Sequence, residues 1–263
     1  MKLRQILSAG LIIVLSLSLI ACSQSKSNTP SKKEDKQTGT SKVEVKPEKA
    51  LLGEWEVVVA SKDQTQYSSG YVLGDNFVFE FKEDKTVSVS DGVNKEDTLD
   101  DIKWDLTGET LTLTTSDGDK RTGSFDGKVI TLYDLVGVGD KYSLVKKGAE
   151  EETILACFSE SAKKIYGKWE ASQGSKRGDV ALADAELKDA FILEYTLQGT
   201  TKIKYFGQDL GELPTSVSDK KISILQTDSY YILGELTDDN TLTVDVVDAD
   251  TYTPDTFICK KVK

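Results

Sequence analysis

The stretch LLGEWEVVVA at residues 51–60 decides the fold, because it returns in outline as IYGKWEASQG at residues 165–174. Both stretches contain Gly-x-Trp-Glu, with Trp55 in the first and Trp169 in the second. Self-similarity at a fixed distance along a chain indicates repeated structural units. We therefore predict that the chain contains the same unit twice.

The ends of the two units repeat as well as their beginnings. The first closes on KYSLVKKG at residues 141–148, and the second on TFICKKVK at residues 256–263. Each ending is a short aromatic strand followed by paired lysines. Charge follows the same division, with 11 basic and 19 acidic residues in 51–148 and 13 and 21 in 149–263. The predicted copies are residues 51–148 and 165–263.

Within each copy, apolar residues alternate with polar ones over short runs, which is typical of half-buried strands. Phe77, Phe79 and Phe81 give the clearest example in the first copy, and Ile203 with Tyr205 in the second. Turn sequences such as SDGD and DDNT separate these runs. About eight strands per copy predict an all-β fold of two tandem small antiparallel meander barrels, since closure removes exposed sheet edges.

One helix is predicted between the copies, over residues 149–164. Ile154, Phe158 and Ala162 stand at helical spacing there, with glutamates at the start and lysines near the end, as the helix dipole favours. A second short helix is predicted within DVALADAELKDAF at residues 179–191. The linking helix would brace the entry into the second barrel.

The Gly-x-Trp motif on the first strand, the meander and the basic residue after the last strand resemble the short lipocalin-like domains of bacterial lipoproteins. The resemblance implies that the tryptophan closes the barrel floor and packs on a basic side chain. Trp55 and Trp169 would then be structural residues. The candidate basic partners are Lys146 or Lys147 in the first copy and Lys260 or Lys261 in the second. A barrel this small can be filled by its own side chains.

Residues 1–21 have the organisation of a secretory signal peptide. Lys2 and Arg4 precede an uncharged run that is too short to span a membrane comfortably. Leu19-Ile20-Ala21-Cys22 then resembles the lipobox of bacterial lipoprotein signals. The resemblance implies cleavage before Cys22 and acylation of its sulfur, and several acyl chains hold a protein durably at a membrane. An ordinary signal peptide or an uncleaved anchor is the alternative.

Residues 22–50 form a predicted disordered tether, because they are rich in Ser and Lys, lack aromatic residues and cannot bury enough surface to fold. Residues 1–50 carry nine basic and four acidic residues, although the whole chain has a net charge of −11. A basic tether suits an anionic membrane surface, and it also simply keeps the segment soluble. Nucleic acid is excluded as a partner because acidic domains repel phosphate.

The remaining cysteines, Cys157 and Cys259, have two interpretations. They could form a disulfide, which contributes about 4–5 kcal/mol for a loop this long in the chain-entropy model. Alternatively, they are two buried thiols that pack as small apolar side chains.

The composition argues against catalysis. The chain has no histidine, which removes Ser-His-Asp and Cys-His mechanisms. Nucleotide-binding glycine motifs and EF-hand spacing are absent from the sequence, and adjacent carboxylates are best interpreted as solvated turn charges. We therefore predict a protein that is not an enzyme and that has no cofactor and no metal site.

The expected function is that of a lipid-anchored extracytoplasmic binding module, on a Gram-positive surface rather than in a periplasm. Its ligand would be a small apolar molecule in a barrel mouth, or its partner a cell-envelope component. The alternative is a structural spacer or adhesin with filled barrels. Tyr230 and Tyr231 point to opposite faces of one predicted strand, so one of them should leave the core.

Overall fold

The computed structural model describes residues 47–70, 77–91, 98–134, 140–178, 180–224 and 229–262. The predicted signal peptide, Cys22 and most of the predicted tether lie outside these ranges. The last residues of that tether are not disordered, since Pro47–Leu51 forms a helix whose Leu51 is fully buried. None of the described helices has the length and apolarity needed to cross a membrane.

The described chain is all-β with a few short helices. The helices are α1 Pro47–Leu51, α2 Glu151–Ala156, α3 Glu160–Ile165 and α4 Asp184–Leu187. The strands of the first copy are β1 Gly53–Lys62, β2 Thr65–Ser68, β3 Phe77–Phe81, β4 Thr86–Asp91, β5 Thr98–Thr107, β6 Thr110–Thr114, β7 Lys120–Phe125, β8 Val129–Tyr133 and β9 Lys141–Lys146. The strands of the second copy are β10 Gly167–Lys176, β11 Val180–Ala181, β12 Phe191–Tyr195, β13 Thr201–Tyr205, β14 Gln208–Leu213, β15 Thr215–Ser218, β16 Lys221–Ile224, β17 Tyr230–Asp238, β18 Thr241–Asp248 and β19 Pro254–Lys261.

The first copy contains a closed antiparallel barrel. Each strand from β3 to β9 pairs with the next along the chain. β1 closes the ring, because it pairs with β3 on one side and with β9 on the other. The prediction of an all-β chain with an eight-stranded antiparallel barrel is therefore confirmed.

The strands of the second copy pair in the same order. β10 pairs with both β12 and β19, each strand from β12 to β14 pairs with the next, and so does each strand from β15 to β19. Between β14 and β15 the chain passes directly through Pro214, with β14 paired to β13 and β15 paired to β16. Proline has no amide hydrogen for a strand ladder, which suits it to this interruption.

β1 and β10 also share their irregularities. The pairing register shifts between Val57 and Val59 in β1, and between Ala171 and Gln173 in β10. In both strands the shift begins four residues after the glycine of the Gly-x-Trp motif. Such bulges bend a strand and increase its twist, as closing a small barrel requires. The repeat seen in the sequence is therefore also a repeat in backbone geometry.

The side chains predicted to alternate inwards are buried, except that of Tyr205, which is half-buried. Phe77, Phe79 and Phe81 all point into the first core, and Ile203 lies in the second. Other members of the first core are Trp55, Val87, Val89, Ile102, Trp104, Leu111, Phe125, Ile130, Leu132, Tyr142 and Leu144. Other members of the second are Trp169, Phe191, Leu193, Tyr195, Ile222, Ile224, Leu242, Val244, Val246 and Phe257.

The predicted linking helix is broken into two, α2 and α3. The chain leaves the first helix at Cys157, and Ser159 begins the second by accepting a hydrogen bond from the amide of Ala162 with its side chain. This is a standard N-cap, and a serine there favours a new helix start. Phe158 and Ile165 are buried as expected. The second predicted helix is the single short turn of α4.

The two copies share a sheet contact. β2, a strand of the first copy outside its barrel ring, pairs with β1 and also with β15 of the second copy. Val58, Val59 and Val145 of the first copy pack in the hydrophobic cluster of the second. The copies are therefore joined by backbone hydrogen bonds and by buried apolar side chains.

Candidate functional site

The Gly-x-Trp motif builds one end of each copy. Trp55 and Trp169 are almost completely buried. The indole nitrogen of Trp55 donates a hydrogen bond to the Leu51 carbonyl at 2.6 Å, and that of Trp169 donates to the Ile165 carbonyl at 2.7 Å. Each ring is thus fixed to the helix that immediately precedes its first strand.

A lysine lies over each tryptophan. Of the candidate partners, the ammonium of Lys146 is 6.0 Å from the Trp55 ring centroid and that of Lys261 is 5.4 Å from the Trp169 centroid. Lys147 forms an ion pair with Glu54 instead, and Lys260 donates a hydrogen bond to the Thr241 hydroxyl.

The two lysines that lie over the tryptophans also donate hydrogen bonds to backbone carbonyls. Lys261 donates to the Lys164 carbonyl at 2.8 Å, and Lys146 to the Ala50 carbonyl at 3.4 Å. Burial lowers the pKa of Lys261 below its usual range. Both lysines are thus engaged in contacts within the chain.

The opposite end of the second copy holds a cleft of about 560 Å³, which we call the mouth cleft. It lies where β10 ends, where β17 and β19 begin and where β13 turns into β14, whereas Trp169 lies near the start of β10. Its lining residues are Lys176, Arg177, Tyr205, Phe206, Tyr230, Val246, Asp248, Thr251, Thr253 and Asp255. Its volume is in the range of small-molecule sites.

Aromatic rings form one wall of the mouth cleft. The ring centroid of Tyr205 is 4.8 Å from that of Phe206, 5.1 Å from that of Tyr230 and 6.2 Å from that of Phe257. These edge-to-face contacts hold the rings in place. Phe257 is buried below them, while Phe206 keeps 37% of its surface exposed. The wall is a rigid apolar surface that reaches solvent.

Phe206 has an unusual backbone conformation for an aromatic residue. It occupies the two-residue turn between β13 and β14 with φ of 45°, followed by Gly207 with φ of 77°. Positive φ at both positions is the pattern of type I′ hairpins, which favour Asn or Asp before Gly. A bulky side chain there is strained, and such strain is concentrated at functional sites.

Two carboxylates face the aromatic wall and are anchored by the chain itself. Asp255 accepts hydrogen bonds from the Tyr205 hydroxyl at 2.5 Å and from the Arg177 amide at 2.8 Å. Asp248 accepts from the Thr251 amide at 2.8 Å and from the Thr251 hydroxyl at 3.0 Å. The bonds from Thr251 hold the pKa of Asp248 below its usual value. Burial, reinforced by Asp255, raises the pKa of Tyr205, so the phenol stays protonated at neutral pH.

The cations of the mouth cleft are less constrained. The ammonium of Lys176 lies 4.2 Å from the Phe206 ring centroid, and Arg177 is exposed beside it. Within the described part of the chain, neither side chain forms an ion pair closer than 4.0 Å. Their donors are therefore available to a ligand. With two carboxylates opposite, the cleft is close to neutral.

Sequence reasoning located only part of this cleft. It singled out Tyr230 and Tyr231 as a pair of which one should be exposed, and both are half-buried, with Tyr230 in the aromatic wall. It missed Tyr205 and Phe206. The available signal was the order Tyr-Phe-Gly between two alternating runs, which places an aromatic residue at a turn position that normally prefers Asn.

Of the two interpretations of the cysteines, the structure has the free thiols, since neither Cys157 nor Cys259 is in a disulfide. Cys259 faces the second core from β19, whereas Cys157 ends α2 with its sulfur 3.6 Å from the Thr153 carbonyl. Burial raises the pKa of Cys157 to about 11 and that of Cys259 to about 12. Thiols with raised pKa values are poor nucleophiles at neutral pH, so the buried-thiol interpretation describes both residues.

The described residues contain no candidate metal site. Their side chains include no group of three or more cysteines and carboxylates close enough together to hold an ion. The carboxylates of the mouth cleft are bonded to the protein rather than directed at a common point. The arrangement supports recognition by stacking and hydrogen bonding.

No family model matches the chain, and no curated protein matches it. Among solved structures, it is similar to a protein of unknown function from the DUF3598 family of Nostoc punctiforme, with 10% identity, a TM-score of 0.27 and coverage of 82% of this chain and 98% of that one. A candidate outer membrane protein from Bacteroides fragilis gives 14% identity, a TM-score of 0.25 and coverage of 83% and 100%. At these TM-scores neither likeness bears on function.

Proposed function

We propose that the protein is a lipid-anchored extracytoplasmic lipoprotein of a Gram-positive surface, and that it acts as a binding module without catalysis. Its two copies would be tandem lipocalin-like barrels. The observation that carries the binding role is the mouth cleft, where an aromatic wall that reaches solvent lies beside anchored carboxylates and two cations that form no ion pair with the described residues. A few convergent polar groups beside an apolar wall are typical of ligand sites.

The chemistry of the mouth cleft favours binding over catalysis. A general base or nucleophile needs a pKa near the working pH and a free lone pair. The Tyr205 phenol has a raised pKa and is bonded to Asp255, while Asp248 has a lowered pKa and is bonded to its own turn. These groups are suited to holding a ligand in one orientation.

The ligand is better placed in the mouth cleft than inside a barrel. Inward positions of the first copy carry large buried rings, such as Trp55 and Phe125 with centroids 5.5 Å apart. In the second copy, Phe191 and Phe257 stack with centroids 5.0 Å apart directly below the cleft. The sequence predicts a small apolar ligand in a barrel mouth, and such a ligand would have to displace these rings to reach further into the barrel.

A second candidate function is that of a spacer or adhesin with filled barrels. The packed cores favour it, and so does the sheet contact between β2 and β15, which makes the two copies a stiff unit. In that case the mouth cleft would be only a surface depression, and the partner would bind elsewhere.

The anchor would precede the first copy, whereas the mouth cleft lies in the second. α1 contains the last residues of the predicted tether and leads into β1, at the end of the first copy that holds Trp55. The mouth cleft belongs to the second copy. A tether of this composition would let the chain hold the cleft away from the lipid surface.

The anchor is tested by replacing Cys22 with Ala in the full chain and fractionating the producing cells. We expect the Cys22→Ala protein to leave the membrane fraction, because acylation needs the cysteine sulfur. Without acyl chains, only the signal peptide could hold the protein at the membrane, and it is either cleaved off or binds the membrane weakly. Cys157→Ala is the matched control and should stay in the membrane. If both variants remain there equally, the lipid anchor is wrong.

Binding is tested by native mass spectrometry of the full-length chain released from detergent. A discrete extra mass that denaturation removes would support the binding module. A bare polypeptide mass, in preparations from several growth media, would favour the spacer instead.

A further inference from the structure

We infer that the mouth cleft binds a neutral sugar ring, presented as part of an oligosaccharide. This inference rests on the proposed binding function and specifies its ligand class. It is argued from three features of the cleft: its exposed ring, its balance of donors and acceptors, and its balance of charge.

The aromatic wall matches the apolar face of a sugar. A pyranose ring presents a row of C–H groups on each face, and such a face packs well on an aromatic ring. Phe206 is the exposed member of the wall, and its ring contacts those of Tyr205 and Phe257 at centroid distances of 4.8 Å and 6.0 Å. The turn that places Phe206 at the mouth cleft has a strained backbone, and such strain is concentrated at functional sites.

The polar groups match sugar hydroxyls, which both donate and accept hydrogen bonds. Lys176 and Arg177 supply donors that are not committed to an ion pair within the described residues. Carboxylates have about four lone-pair sites, so Asp255 and Asp248 keep acceptor capacity beyond their bonds to the chain. Thr253 adds a hydroxyl that can donate or accept a hydrogen bond.

The charge of the mouth cleft disfavours ionic ligands. An anion would meet Lys176 and Arg177 but also the two fixed carboxylates, Asp248 and Asp255. A quaternary ammonium would have to replace Lys176, whose own ammonium already lies over the Phe206 ring. A neutral polyol needs no net countercharge, and its hydroxyls can accept hydrogen bonds from the Lys176 ammonium that lies beside the ring.

The test uses the full-length chain in detergent, with saturation-transfer NMR and titration calorimetry. The neutral probes are maltotetraose, cellotetraose and tetra-N-acetylchitotetraose. The ionic probes are tetragalacturonate and choline chloride. Phe206→Asn is the informative variant, because Asn tolerates positive φ and should fold at least as well while removing the ring. Tyr133→Asn is the matched control, since Tyr133 is an exposed aromatic residue on β8 of the first copy.

We expect at least one neutral tetrasaccharide to bind the unmodified chain, and Phe206→Asn to weaken that binding by about tenfold or more. Tyr133→Asn should leave it unchanged, and the midpoint of urea unfolding of Phe206→Asn should not fall. Equal binding by Phe206→Asn, or failure of every neutral probe, would overturn the inference. If an ionic probe binds instead and Phe206→Asn abolishes it, the sugar is wrong while the proposed binding function is supported.

Discussion

At the scale of single residues, the Gly-x-Trp motif has a physical reason for each of its fixed positions. Gly167 has φ of 106° and Gly53 has φ of 108°, in a region that side chains avoid. A Cβ atom at Gly167 would lie 3.6 Å from the Lys261 stem. The tryptophan two residues later is hydrogen-bonded to the preceding helix. The motif therefore specifies a backbone bend, a close approach by a lysine side chain and a buried tryptophan ring.

The glycine of the motif gives the first prediction. Gly167→Ala should lower the free energy of unfolding by about 1–3 kcal/mol, because alanine must adopt a strained φ or shift β10 away from Lys261. Urea unfolding followed by tryptophan fluorescence measures the effect. Gly70→Ala is the control, since a Cβ there meets nothing within 4 Å and its φ is not in the strained region. Equal effects for the two variants would contradict the argument.

At the scale of elements, β2 is the feature that joins the copies. Its Gln66 is only 3% exposed. Gln66 accepts a hydrogen bond from the Ser159 amide at 2.6 Å and donates one to the Tyr195 hydroxyl at 3.3 Å. Ser68, two residues on, accepts one from the Thr215 amide at 3.1 Å. One strand of the first copy thus satisfies polar groups of α3, β12 and β15.

The second prediction concerns this strand. Gln66→Ala should lower the free energy of unfolding by about 1–3 kcal/mol or more, because it leaves the Ser159 amide and the Tyr195 hydroxyl buried without these partners. Gln64→Ala, in the same hairpin but exposed, should change it little. The measurement is urea unfolding of both variants beside the unmodified chain. If Gln66→Ala leaves the free energy of unfolding unchanged, water replaces the Gln66 amide and the contact between the two copies is loosely packed.

At the scale of the whole molecule, the two copies form one continuous body. The hydrophobic cluster of the second copy includes Val58, Val59 and Val145 of the first. Val58 is the extra residue of the β1 bulge, so the bulge itself directs a side chain outwards into the joint. Shared burial of this kind couples the unfolding of the two copies.

The third prediction is that calorimetry shows one cooperative thermal transition, and that Val58→Lys splits it into two. A charge at this buried contact is costly, yet the side chain lies outside the core of its own barrel, so each copy should keep its fold. Val180→Lys is the control, since Val180 is 64% exposed, and it should preserve the single transition. Two transitions in the unmodified chain would show that the joint does not couple the copies.

The fold could be inferred far better than the site. Phe77, Phe79 and Phe81 alternate because neighbouring residues of a strand point to opposite faces, which is a local property of the chain. Tyr205 and Asp255 are separated by 50 residues and meet only when β13 and β19 take their places in the sheet. No local pattern marks such a pair. The break between α2 and α3 was also hidden, because Phe158 and Ile165 keep helical spacing across it.

The sequence by itself determined the β character of the chain, its two copies of one strand pattern, the buried tryptophans and the absence of histidine chemistry. Each of these depends on residue type or on spacing over a few positions. Only the tertiary structure decided which lysine lies over each tryptophan, that the two thiols stay apart, and that β2 joins the copies. It also assembled the mouth cleft. The physical reason is that these contacts connect the ends of distant strands, and their proximity is fixed by strand register and sheet closure rather than by any local preference of the chain.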